Sequence, residues 1–298
     1  MKTIRALFLA AAATALCVLA PAACAPLPSG PAGTAARPQR IVSLAPNVTE
    51  MLFAIGAGPQ VVGVTDFCDY PEAARRLPKV GGFVNPNPEA IIALAPDLVI
   101  ATPNVGNQPF VERVMRLGAR VEIVEARDLD GIYPAIETLG RLTGREPQAM
   151  RLLADLREEV TRAANEALSH RPVRTLLCIQ IEPLIAAGPG SYPHDVLTLA
   201  GGESIVPGSA GEYPNLSLEQ VVAAAPEVII QTQMDTRAGG DPSAPLLQFW
   251  SRWPSIPAVG SKRVHVVPGD ALLRPGPRLP EGIALLASLL DTRGGVAQ

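Results

Sequence analysis

The sequence predicts an α/β protein of two similar lobes with parallel-rich sheets, joined by one long helix. Three observations carry this. A fourteen-residue pattern, Glu89-Ala-Ile-Ile-Ala-Leu-Ala-Pro96-Asp97-Leu-Val-Ile-Ala-Thr102, returns 130 residues later as Glu219-Gln-Val-Val-Ala-Ala-Ala-Pro226-Glu227-Val-Ile-Ile-Gln-Thr232, with six of the fourteen positions identical. A unit used twice implies two lobes, and two lobes imply a cleft. Short apolar runs alternate with helical patterns on both sides of the chain's middle, the mark of parallel α/β units. Between the two series, residues 148–169 hold neither Gly nor Pro.

The elements follow in order. Arg40–Leu44 is a short apolar strand, and Asn47 is placed to cap a helix running to about Ile55, ended by Gly56 and Gly58. Val61–Val64 is a second strand. Asn87 caps the first repeat helix, with Pro88 at its first position; Pro96 cannot continue it. Leu98–Ala101 is apolar at consecutive positions, as in a strand covered on both faces. Helix Phe110–Leu117, strand Arg120–Val124 and helix Leu129–Leu142 complete the first lobe. Leu152, Leu153, Leu156, Val160, Ala163, Ala164 and Ala167 then recur at helical spacing, with Arg and Glu opposite. That helix spans about 30 Å. The alternation restarts with strand Val173–Ile179, helix His194–Leu199, the second repeat, a helix near Leu246–Trp250, strand Arg263–Val267 and a last helix to about Leu290.

A chain of 298 residues has room for two domains, and 48% hydrophobic residues supply two cores. The net charge of −3, without a basic block, argues against nucleic acid as a partner. Lys2 and Arg5 precede an apolar run, Ala6–Ala20, shorter than the roughly 20 residues of a membrane span. Residues 1–24 therefore read as a signal peptide. Pro21-Ala22-Ala23-Cys24 resembles a bacterial lipoprotein cleavage site, with Cys24 lipidated, although Pro21 stands where such sites carry an aliphatic residue. Ordinary cleavage around Ala23-Cys24-Ala25 is the alternative. Residues 25–39 are rich in Pro, Gly and Ala and read as a disordered tether. The domains expected are residues 40–146, a bridging helix over 147–170, and 171–298. After export Cys68 and Cys178 remain; they sit in different lobes and are expected as free thiols, at least one buried, with a cross-lobe disulfide as the other possibility.

Several segments together resemble one family. They are Arg40-Ile-Val-Ser-Leu-Ala-Pro-Asn-Val-Thr-Glu50, Val62-Gly-Val-Thr-Asp-Phe-Cys-Asp-Tyr-Pro71, Val80-Gly-Gly-Phe83, both repeats, Ala187-Gly-Pro-Gly190 and Arg274-Pro-Gly-Pro-Arg278. From Arg40 to Leu290 the chain is similar to the class III substrate-binding proteins of ABC importers, the cobalamin and siderophore type. The resemblance implies two Rossmann-like lobes on one backbone helix, and the Cys-Asp-Tyr-Pro segment leans toward the cobalamin branch. It implies aromatic cleft walls at Phe67, Phe83 and Tyr213, polar ligand contacts at Asp270 and Arg274, and a weaker candidate at Arg278. Thr102 stands where the best-known relatives carry a tryptophan. Aromatic faces suit a broad, partly apolar corrin ring with amides at its rim. Core packing is the alternative for these rings, but Phe67 and Tyr70 flank Cys68-Asp69 beside Pro71, a loop composition. Glu89 and Glu219 match glutamates that dock onto permease arginines in this family. An acid in the first helical turn also favours the helix dipole, and the two roles are compatible.

The chain has three histidines, His170, His194 and His265, without the clustering a zinc or manganese receptor needs. His194 as an axial ligand to cobalt or haem iron is the one exception weighed. No G-x-G-x-x-G, P-loop or G-x-S-x-G segment supports an enzyme; a ligand-free scaffold lipoprotein is the remaining class. The expectation is a monomeric, exported, lipid-anchored solute-binding protein with no resident cofactor. It captures a corrinoid, or alternatively an iron-siderophore or haem, for an ABC importer.

Overall fold

The computed structural model describes residues 37–103, 106–167, 171–233 and 243–291. The signal peptide, Cys24, most of the tether and His170 lie outside them. Parallel strands build both lobes, as expected. In the first, β1 (Ile41–Ser43), β2 (Val61–Val64), β3 (Leu98–Ala101) and β4 (Val121–Ile123) form one sheet in the order β2-β1-β3-β4, every pairing parallel. In the second, β5 (Val173–Ile181) pairs with β8 (Val228–Gln233), which pairs with β9 (Val264–Pro268). On its other edge β5 takes β7 (Gly202–Ser204) in parallel and β6 (Leu184–Ala186) antiparallel. Thus β7-β5-β8-β9 repeats the first lobe's order, and the β5–β6 hairpin is an addition. β3 is buried at every position, and β8 at all but its last. That explains their unbroken apolar runs.

The repeat reproduces its backbone contacts as well as its sequence. Asn87 accepts from Ala90 N and caps helix Pro88–Ala93; Ser217 and Gln220 form a reciprocal capping box on helix Leu218–Ala224. Each helix stops at an alanine in the left-handed region, Ala95 at φ 44° and Ala225 at φ 48°, just before the proline. The arginine that precedes or opens the partner strand then caps the same orphaned carbonyl in both lobes. Arg40 Nη2 donates to Leu94 O and Arg174 Nη2 to Ala224 O. The acid after the proline returns the contact, with Asp97 N donating to Arg40 O at 3.0 Å and Glu227 N to Arg174 O at 2.8 Å. The duplication therefore reaches back to Arg40 and Arg174.

The long helix runs from Glu146 through Ala167, with Pro147 inside its first turn, where the missing N–H is harmless. Its buried face, Ala149, Leu153, Leu156, Val160, Ala164 and Ala167, packs on helix Leu129–Thr143 of the first lobe and helix Leu279–Leu290 of the second. Gly140 permits the closest approach, since a Cβ there would lie 2.6 Å from that of Ala149.

Two local expectations are corrected. Helix Pro46–Ala54 has Ala45 as its uncapped N-cap, so Asn47 lies within the first turn. Its amide is drawn instead to Ala126 O, at 3.4 Å. Pro46 supplies the start by fixing its own φ. Residues 37–39 are held on the lobe and are not tether: Pro38 O accepts from Gln60 Nε2 at 2.6 Å, and Gln39 N donates to Asp97 at 2.7 Å. Strands β6 and β7 had no expectation, because three residues carry too little pattern. Cys68 and Cys178 are both free and buried. Cys68 Sγ lies 3.1 Å from the hydroxyls of Thr49 and Thr65.

Candidate functional site

A cleft of about 720 Å³ opens between the lobes. Its lining follows strand ends. Pro46 and Asn47 come after β1, Phe67 after β2, Thr102 and Pro103 after β3, Ala126 and Arg127 after β4, and Gly269 and Asp270 after β9. Ligands of open α/β sheets bind at this carboxyl edge, where loops and helix starts converge.

All six residues expected to meet a ligand line this one cleft: Phe67, Phe83 and Thr102 from the first lobe, Tyr213, Asp270 and Arg274 from the second. Phe67 is exposed. Phe83 both lines the cleft and packs on the first lobe's core, so the two roles weighed for it coexist. Its loop needs Gly81 at φ +95°, where a Cβ would sit 3.1–3.3 Å from three backbone atoms. Thr102, almost buried, ends β3 as a small polar step between aromatic walls. Tyr213 is carried by a loop pressed on Gly188, whose N–H donates to Glu212 O at 2.7 Å. Burial first, then the charges of Glu212 and Asp195, push its phenol up.

Tyr192 forms buried floor, its hydroxyl donating to Ala271 O at 3.2 Å. Tyr192, Asn47, Arg127 and Glu212 also line the cleft and were not singled out by sequence. Glu212 had a usable signal, since it adjoins Tyr213 within a glycine-flanked loop; the others had none. Arg278, the weaker candidate, is absent from the lining. Its guanidinium lies 4.3 Å over the Tyr70 ring and turns away from the cleft to Glu50. His194 and His265 do not line the cleft either, which removes the described axial-ligand candidate.

The two cations of the cleft are already paired. Arg127 pairs with Glu125 at 3.0 Å, an exposed and therefore weak pair. Arg274 pairs with Asp69 at 2.6 Å and with Asp270 at 2.9 Å. Burial pushes the Asp69 carboxyl up, but the hydrogen bond and charge of Arg274 outweigh it and hold Asp69 below the usual range. Among the described residues the cleft and its direct ion-pair partners carry two arginines, Arg127 and Arg274. Against them stand five carboxyl groups, on Glu50, Asp69, Glu125, Glu212 and Asp270.

Glu89 and Glu219 stand outside this lining, exposed, in the first turn of the two repeat helices, one per lobe. They differ in one respect. Glu89 is bound by Arg113 at 2.5 Å, whereas Glu219 has only its own backbone and Ser217, which hold its carboxyl low.

The model for the family described as "Periplasmic binding protein" matches residues 41–271. The vitamin B12-binding protein of Vibrio cholerae serotype O1 is 30% identical over 254 residues, covering 85% of this chain and 89% of its own. The crystal structure of the periplasmic vitamin B12 binding protein of Vibrio cholerae superposes with TM-score 0.72 at 30% identity, over 85% of this chain and 96% of that one. A periplasmic heme binding protein from Pseudomonas aeruginosa superposes with TM-score 0.77 at 29% identity, over 85% and 92%.

Proposed function

We propose, from the premise that this chain belongs to the periplasmic binding protein family, that it is the solute-binding component of an ABC importer and captures a corrinoid in the inter-lobe cleft. Backbone similarity does not choose the ligand, because vitamin B12 and haem binders superpose about equally well. The cleft's chemistry supports the choice. Phe67 and Phe83 face Tyr213 from opposite lobes and offer apolar area at little entropy cost.

The single observation carrying the reading is charge. Haem brings two propionates, and many ferric siderophores are anions. Among the described lining residues no unpaired cation awaits them, and the two carboxyl groups, Glu212 and Asp270, offset the two arginines, Arg127 and Arg274. A corrinoid with a rim of neutral amides needs no such cation. Its amide N–H groups suit Glu212, whose carboxylate has no partner among the described residues. Tyr213, the phenol nearest to serving as a haem-iron ligand, has its ionised form disfavoured by burial and by Glu212.

In this reading the protein does no covalent chemistry and has no resident cofactor; the corrinoid is cargo. Glu89 and Glu219 grip permease arginines, one per lobe, setting orientation and encounter rate. Docking biases the cleft open, and the stiff bridging helix keeps the lobe movement modest. Export and a lipid anchor at Cys24 place a monomer at the membrane surface outside the cytoplasm. Calorimetric titration of the exported protein with cyanocobalamin, haemin and a ferric siderophore tests the assignment. Heat with cyanocobalamin is expected. Its absence, with saturable binding of haemin or the siderophore, would refute the corrinoid.

A further inference from the structure

One buried charge cluster joins the lobes beside the cleft and shares only Arg274 with its lining. Glu50, on helix Pro46–Ala54 of the first lobe, is 2% exposed. Both its oxygens are occupied by second-lobe arginines. Arg278 Nε donates to Oε2 and Nη2 to Oε1, each at 2.9 Å, and Arg274 Nη1 reaches Oε1 at 3.2 Å. Burial pushes the Glu50 carboxyl up, and Arg278 and then Arg274 oppose that shift. A carboxylate this buried is tolerable only while paired, because separation leaves an uncompensated charge at low dielectric. Each of these ion pairs crosses from one lobe to the other. Arg274 alone belongs to both the cluster and the cleft lining.

We propose that Glu50 is a positioning residue for ligand capture. It touches no ligand. It clamps Arg278 and Arg274, holds the Arg274 guanidinium at the cleft wall, fixes the cleft's width and slows release. The proposal rests on the capture role above. Opening the cleft far enough to release a broad ligand separates Glu50 from its arginines, so the tie adds to the barrier for leaving. Entry through a partly open cleft depends on it less, in keeping with the general concentration of affinity changes in the dissociation rate.

The test uses the exported protein, its Glu50→Gln variant and the double variant Glu50→Gln/Arg278→Gln, in which the cluster is again charge-matched. Stopped-flow displacement of cyanocobalamin should show dissociation at least tenfold faster in Glu50→Gln, with association within threefold of the parent. Deuterium uptake across residues 270–278 of the unliganded protein should rise. The double variant should regain melting temperature but keep the fast dissociation. Unchanged dissociation in Glu50→Gln, or a parental rate regained together with melting temperature, would overturn the proposal. If the parent binds no corrinoid, the capture reading fails by itself; the exchange measurement then decides, with raised uptake supporting the tie and unchanged uptake refuting it. Should Glu50→Gln not fold, Arg278→Lys keeps the charge but loses the fork, and the same readouts apply.

Discussion

Replacing Tyr213 by alanine isolates the contribution of one cleft wall. The residue is 50% exposed, so its other half is packed on the protein and its removal should cost up to about 2.5 kcal/mol of folding stability at about 25 cal/mol per Å². A tyrosine presents about 200 Å² in all, so about 100 Å² of ring remains for a ligand to cover. At about 25 cal/mol per Å² this is worth about 2.5 kcal/mol. Every 1.4 kcal/mol is about tenfold in Kd, so full coverage predicts about 60-fold weaker binding and half coverage about eightfold. The expected range for cyanocobalamin is therefore about 8- to 60-fold, read by calorimetry at a temperature where the variant remains folded. Kd within twofold of the parent would refute the placement of this ring against the ligand.

Gly188→Ala should weaken binding at least tenfold and lower the melting temperature by a few degrees. The new Cβ would fall 2.1 Å from Gly211 O, backbone that no rotamer change can move, and would lift the loop carrying Glu212 and Tyr213; unchanged titration and melting curves would count against that account. Reversing charge at Glu89 and Glu219 together should abolish uptake by cells while cleft affinity stays within twofold; intact uptake would leave the two acids only their helix-dipole role. Asp69→Asn should cost about 1–2 kcal/mol at pH 7, where the wild-type carboxylate is ionised and bound by Arg274. Its depressed native pKa places that contribution above the unfolded value of about 3.9, and it is lost as pH falls through the lower native value. The gap between the melting curves of the two proteins should therefore shrink as pH falls below about 3.9, and a gap that does not shrink would contradict the ion pair as its source.

Much of the fold is legible in the chain because it is set locally. The caps Asn87 and Ser217 act within three residues, Pro96 and Pro226 end their helices by geometry, and the apolar runs of β3 and β8 report burial on both faces. The cleft aromatics Phe67, Phe83 and Tyr213 were readable from loop composition and family resemblance, with no distance needed. Asn47 was misread because a capping residue type beside a helix start looks the same whether it caps or sits one turn in. Arg127 was missed because an exposed charge carries no periodic signal.

The sequence by itself determined that there are two lobes, that a glutamate opens the same helix in each, and that one uninterrupted helix joins them. These are properties of short windows and of their repetition. Only the tertiary structure decided which charges are free. Arg274 and Arg278, read along the chain, are two cations available to a ligand; folded, they are bound to Glu50, 224 and 228 residues away. Glu89 and Glu219 look equivalent in the repeat, yet among the described residues only Glu89 is met by an arginine, Arg113 from a neighbouring helix. Ion pairing acts over a few ångströms through space, and no spacing rule along the chain links residues that folding alone brings together.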